Sequence, residues 1–166
     1  MILNKTYLIY VVEDNKILNR VTTEYLKKNG YTNVKSFHSG EECLESLKSG
    51  EVPDVVVEDY DMNGINGIDV LKIVKKKLHK TQFIFLTSND DVEIAVNTIK
   101  YGAFDYIVKD KMAMEKLVYK LDMLSEFFLL QKKNTQAGWL RIALIVVVIL
   151  VVFLSAFLIY VLALLN

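Results

Sequence analysis

The sequence predicts an α/β fold: a doubly wound, five-stranded parallel sheet covered by helices on both faces. Three observations carry that expectation. Short runs that are apolar throughout recur at 7–12, 54–58, 82–86 and 104–108, the pattern of strands buried on both faces. Stretches with apolar residues at helical spacing lie between these runs. The two patterns alternate, which calls for right-handed crossovers and a parallel sheet.

Taken in order, the first run, at 7–12, ends in Glu13-Asp14. Ile17, Leu18, Val21, Tyr25 and Leu26 then recur at helical spacing and stop at Gly30, a C-terminal cap signal. A weaker strand follows at 33–37. Ser39 can cap a helix carrying Cys43, Leu44 and Leu47 inward. The second strong run ends in Asp59, and Ile68, Leu71, Val74 and Leu78 form the next stripe. The third ends in Thr87 and precedes Val92, Ala95, Val96 and Ile99, up to Gly102. The fourth ends in Lys109, and a last helix is expected from about 112 to 132 with Leu117, Val118, Leu121 and Leu124 inward.

Composition narrows the function. Twenty Lys and Arg balance twenty Asp and Glu, so no basic stripe is available for a nucleic-acid backbone and no nucleic-acid partner is expected. The single Cys43 falls among apolar positions and reads as a buried, inert thiol. The N-terminus meets acidic residues at once and lacks a small-residue cleavage site, so no signal peptide is expected. His38 and His79 lack metal-ligand spacing, and Lys75, Lys76 and Lys77 read as a solvated helical face.

In a doubly wound sheet, ligands bind beyond the carboxyl ends of the strands. There this chain places Glu13, Asp14, Asp59, Thr87 and Lys109. Clustered carboxylates repel unless a cation joins them, and an all-oxygen site suits Mg2+. A hydroxyl and an ammonium are useful together when a phosphoryl group arrives.

The motifs VVEDN at 11–15, PDVVVEDYDMNGING at 53–67, IFLTSND at 84–90 and GAFDYIVKD at 102–110 resemble the receiver domains of two-component response regulators. The likeness covers about 6–128. It implies the flavodoxin-like receiver fold and a phosphoacceptor signalling domain rather than an enzyme, with Asp59 taking a phosphoryl group from a histidine kinase or a histidine phosphotransfer protein. By position it implies Mg2+ held by Asp14, Asp59 and the backbone carbonyl of Asp61, with Glu13 acting partly through water. Thr87 and Lys109 would bind the phosphoryl group, Ser88 would fill the small position beside Thr87, and Thr87 with Tyr106 would form the switch. Asp61 and Asn89 would tune the lifetime of the acyl phosphate.

Two departures stand out. Asn63 follows Met62 where the family usually has proline, and Asp110 follows Lys109 where it usually has another. A cis bond before a non-proline residue costs about 3 kcal/mol, which leaves the Lys109-Asp110 loop trans or strained. The sequence admits two other readings. Asp59-Tyr60-Asp61 also resembles the Asp-x-Asp motif of haloacid-dehalogenase-type phosphatases, with Asp61 as general acid, but no acidic pair follows Lys109. A docking module that is never phosphorylated is the other.

From 139 to 165 only Arg141 and Ser155 interrupt an apolar block. About 24 residues of helix rise about 36 Å, more than a hydrocarbon core of about 30 Å. The expected organisation is therefore a receiver domain at 1–133, a connector at 134–138 and a C-terminal transmembrane helix at 139–166. Lys132, Lys133 and Arg141 precede the span and Trp139 fits an interfacial anchor, which predicts a single-pass membrane protein with a cytoplasmic receiver. No output domain is read after the receiver. A receiver or transmembrane dimer is left open, while pairing through the span itself has little support because no Gly-x-x-x-Gly pattern occurs in the block.

Overall fold

The computed structural model describes residues 5–164, with side chains described except at 134, 137, 140 and 156–164. It forms two compact units, Met1–Ser125 and Glu126–Asn166. In the first, strands β1 (Ile9–Val12), β2 (Val34–Phe37), β3 (Val55–Glu58), β4 (Gln82–Thr87) and β5 (Asp105–Val108) alternate with helices α1 (Lys16–Lys28), α2 (Gly40–Lys48), α3 (Gly67–Lys77) and α4 (Val92–Lys100). All four strand pairings are parallel and the order is β2-β1-β3-β4-β5. The expected five-stranded parallel sheet is therefore present.

Each β1 and β3 residue is buried, as the unbroken apolar runs require. One face of the sheet packs Tyr10, Val12, Val56, Phe83 and Phe85 against Cys43, Val70, Leu71 and Val74 of α2 and α3. Helix starts follow side-chain capping. Asn15 accepts from the amides of Ile17 and Leu18, Ser39 from Glu42, Asn66 from Asp69 and Asp91 from Glu93. Gly67 opens α3 where a Cβ would come within 2.5 Å of the Asp59 carbonyl, so only glycine lets that helix approach the end of β3 so closely.

Two expectations about helices need correction. The apolar stripe of α1 turns inward only in part: Leu26 is buried, but Ile17, Leu18 and Val21 are exposed, while Asn19, Thr22 and Thr23 are buried. The Asn19 amide donates to the carbonyls of Glu13 at 3.2 Å and Phe37 at 2.7 Å, which satisfies backbone groups at two strand ends and fixes which side of α1 turns inward. The α4 stripe is likewise outward at Val92, Val96 and Ile99.

Helix α5 (Ala113–Leu164) does not stop near 132, and 134–138 are helical. In the first unit it buries Ala113, Leu117, Leu121 and Leu124. Among the described residues no helix is long and apolar enough to cross a membrane. The span expected at 139–166 is thus not found as such, and it lies partly outside the described residues.

Candidate functional site

Strand register gathers the polar residues. Val12 pairs with Glu58, and Thr87 pairs with Val108, so Glu13, Asp59, Thr87 and Lys109 emerge together at the carboxyl edge. The Asp59 amide donates to the Val12 carbonyl at 3.0 Å, and the Lys109 amide to the Thr87 carbonyl at 2.7 Å. No cis peptide bond occurs among the described residues, so Lys109-Asp110 is trans. In place of proline, Asp110 accepts the Met112 amide at 2.8 Å and pairs with Lys116 at 2.6 Å, fastening the start of α5.

The Lys109 ammonium stands 2.6 Å from Glu13 Oε2 and 2.6 Å from Asp59 Oδ2. Burial pulls the ammonium toward neutrality, yet the hydrogen bonds and charges of Asp59 and Glu13 outweigh it and hold Lys109 above its ordinary value. Burial raises the Glu13 carboxyl against the opposing pull of Lys109, and the charge on Asp59 adds to the rise. Both carboxylates are buried, so Lys109 offsets a repulsion that water screens poorly.

Asp14 turns elsewhere: its Oδ2 accepts from the Asn63 backbone amide at 3.2 Å and from Asn63 Nδ2 at 2.8 Å. Asp61 and Asn89 meet directly, Nδ2 of Asn89 donating to Asp61 Oδ2 at 3.1 Å. The Asn89 amide donates to Thr87 Oγ1 at 3.2 Å, and its carbonyl accepts the Tyr106 hydroxyl at 2.8 Å. Thr87, Asn89, Asp61 and Tyr106 therefore form one connected chain, whereas Ser88 is exposed. Burial, then nearby carboxylates, pushes the Tyr106 phenol up to about 12, so it remains a donor at neutral pH.

Glu13, Asp14 and Asp59 do not converge into a cage: among the described residues no three His, Cys, Asp or Glu side chains are grouped to hold a metal ion. Mg2+ is nevertheless compatible with the donors present, because it keeps several waters and uses only one or two carboxylates. Asp14, Asp59 and the Asp61 carbonyl are all-oxygen donors, and Lys109 offsets only one of three negative charges here.

Comparison with known proteins settles the family. The profile of the response regulator receiver domain matches residues 9–122. The chain belongs to the response regulator receiver domain family. The receiver is 32% identical over 127 residues to chemotaxis protein CheY-3 of Vibrio cholerae, covering 75% of this chain and 96% of that protein. It is 34% identical over 102 residues to the DNA-binding transcriptional regulator NtrC of Escherichia coli, covering 61% of this chain but only 21% of NtrC. Among solved structures, the response regulator TrrA of Thermotoga maritima, in complex with Mg(2+)-BeF, superposes with a TM-score of 0.61 at 28% identity, covering 70% of this chain and 99% of that one.

Three residues of the receiver site were not singled out from sequence. Asn63 is visible in the sequence only as a missing proline, and its grip on Asp14 has no local signal. Asn19 was hidden by the apolar residues around it. Glu58 is wholly buried, and among the described residues neither carboxylate oxygen has a hydrogen-bond partner; the visible signal is a lone acid closing an otherwise apolar strand.

Proposed function

We propose that Asp59 accepts a phosphoryl group from the phosphohistidine of a histidine kinase or phosphotransfer protein, in two-component signalling. The observation that carries this reading is the Lys109 ammonium held between Glu13 and Asp59 at 2.6 Å from each. A carboxylate oxygen of Asp59 attacks phosphorus, the P–N bond to the donor imidazole breaks, and the imidazole nitrogen leaves with the electron pair. Lys109 holds Asp59 in place and offers its charge to the phosphoryl oxygens, and the Thr87 hydroxyl supplies a further donor. Asp14, Asp59 and the Asp61 carbonyl would hold Mg2+, whose charge would neutralise the transferring group.

Asp61 and Asn89 flank Asp59 and would set how readily water reaches the acyl phosphate. Because Asn89 also carries the contact to Tyr106, the same chain of hydrogen bonds would pass the phosphorylation state from Thr87 to Tyr106. The apolar block at 139–165 would tether the receiver to a membrane with the domain on the cytoplasmic side; the support for this is its length, its composition and the basic residues that precede it.

Incubating the full-length chain with a small phosphodonor and Mg2+ tests the reading. The wild type should take up phosphate, and Asp59→Asn should take up none. Label in Asp59→Asn overturns the assignment. A wild type that never labels yet binds its partner is a docking module, and steady hydrolysis of phosphomonoesters would mark a phosphatase.

A further inference from the structure

Asn63 stands where the family usually has proline, and the substitution adds two donors, both of which land on one oxygen of Asp14. The backbone amide reaches Oδ2 at 3.2 Å and the side-chain amide at 2.8 Å. Proline could supply neither, since it has no N–H and no polar side chain. The remaining oxygen, Oδ1, accepts no hydrogen bond among the described residues.

The donor itself is held. Two residues on, the Ile65 amide donates to Glu41 Oε1 of α2 at 2.9 Å, and Asn66 caps α3 through the Asp69 amide at 3.0 Å. Between Asn63 and Ile65 lies Gly64, at φ +89°, where a Cβ would come within 2.5 Å of the Glu41 carboxylate. The turn is thus pinned on the side away from Asp14, and Asn63 is presented to Asp14 by a fixed loop.

We infer that Asn63 is a positioning residue for Mg2+: it clamps Asp14 through Oδ2 and leaves Oδ1 for the cation. This deepens the phosphoacceptor reading and rests on it. An unclamped Asp14 would spread over several rotamers beside two like charges, and binding a cation would first require it to be ordered. Groups that orient a metal-binding carboxylate are worth about 10–100-fold in metal affinity. Two donors on one oxygen also draw off some of its charge, which works against cation binding. Orientation outweighs that loss because the oxygen left for the cation is not the one engaged.

The test is Mg2+ binding to the detergent-solubilised full-length chain, measured by calorimetry for wild type, Asn63→Ala and Asn63→Pro, with thermal unfolding recorded in the absence of Mg2+. Asn63→Ala should bind Mg2+ about 10-fold more weakly, and Asn63→Pro, which also loses the backbone donor, more weakly still. The melting temperature of Asn63→Ala without Mg2+ should match the wild type, because position 63 is exposed. In phosphodonor labelling, the Mg2+ concentration for half-maximal rate should rise while the rate at saturating Mg2+ is kept. Unchanged or tighter Mg2+ binding in Asn63→Ala overturns the inference and leaves the phosphoacceptor reading standing. Failure of the wild type to bind Mg2+ overturns both.

Discussion

Glu58 has no exposed surface and, among the described residues, no hydrogen-bond partner for either oxygen, one residue before the carboxylate proposed to carry phosphate. Burial first, and the charge on Asp59 second, hold its carboxyl well above the usual carboxylate range. The folded protein therefore keeps a proton that the unfolded chain gives up above about pH 4.3. Between those two values the folded state binds more protons, so stability falls as pH rises. Glu58→Met removes an unsatisfied polar group while keeping the volume. It should raise stability by about 1–3 kcal/mol at pH 7, with the gain shrinking as pH falls toward 4. Denaturant unfolding at the two pH values checks this, and a pH-independent or negative change would count against it. Lys109, by contrast, is a half-buried group kept charged by the two acids it joins.

Among the elements, the strands were the most legible from sequence, because a strand buried on both faces needs apolar residues throughout and 55–57 and 83–86 have nothing else. The helices were less so. In α1 the apolar residues Ile17 and Val21 point outward, since Asn19 is recruited to the carbonyls of Glu13 and Phe37 and sets the inward side. A periodicity rule counts only apolar residues and misses a polar one whose partners are backbone groups from two strands. Asn19→Ala should therefore cost about 1–3 kcal/mol by removing both of these hydrogen bonds. Val21→Ala should stay within about 0.5 kcal/mol, as a surface change does. Paired melting curves decide it; the reverse order would contradict the assignment of faces. The clamp on Asp14 was illegible for a related reason: 49 positions separate Asn63 from its partner, and only the sheet brings them together. By contrast, four side chains at the carboxyl edge could be read in advance, because Glu13, Asp59 and Lys109 directly follow a strand and Thr87 closes one.

For the whole molecule, the family match at 9–122 lies within the first unit, and α5 runs on into the second. Nothing in the 112–132 stretch signals a stop, as Gly138 is the first glycine after the stretch and no proline follows; the helix accordingly continues through 134–138. The proposed membrane tether makes a separate expectation. In cell fractionation the full-length chain should stay with membranes through carbonate and high-salt washes, and external protease should spare the receiver. Release by either wash contradicts the tether, and cleavage of the receiver from outside contradicts its orientation.

The central claim is that Asp59 carries the phosphoryl group, and chemical trapping reads it at the residue itself. The full-length chain is incubated with a small phosphodonor and Mg2+, then reduced with borohydride, which converts an aspartyl phosphate to homoserine that peptide mass spectrometry can locate. The expected result is homoserine at position 59, dependent on both phosphodonor and Mg2+. Homoserine at position 14 or 61 instead, or no conversion at position 59 under any donor, would contradict it.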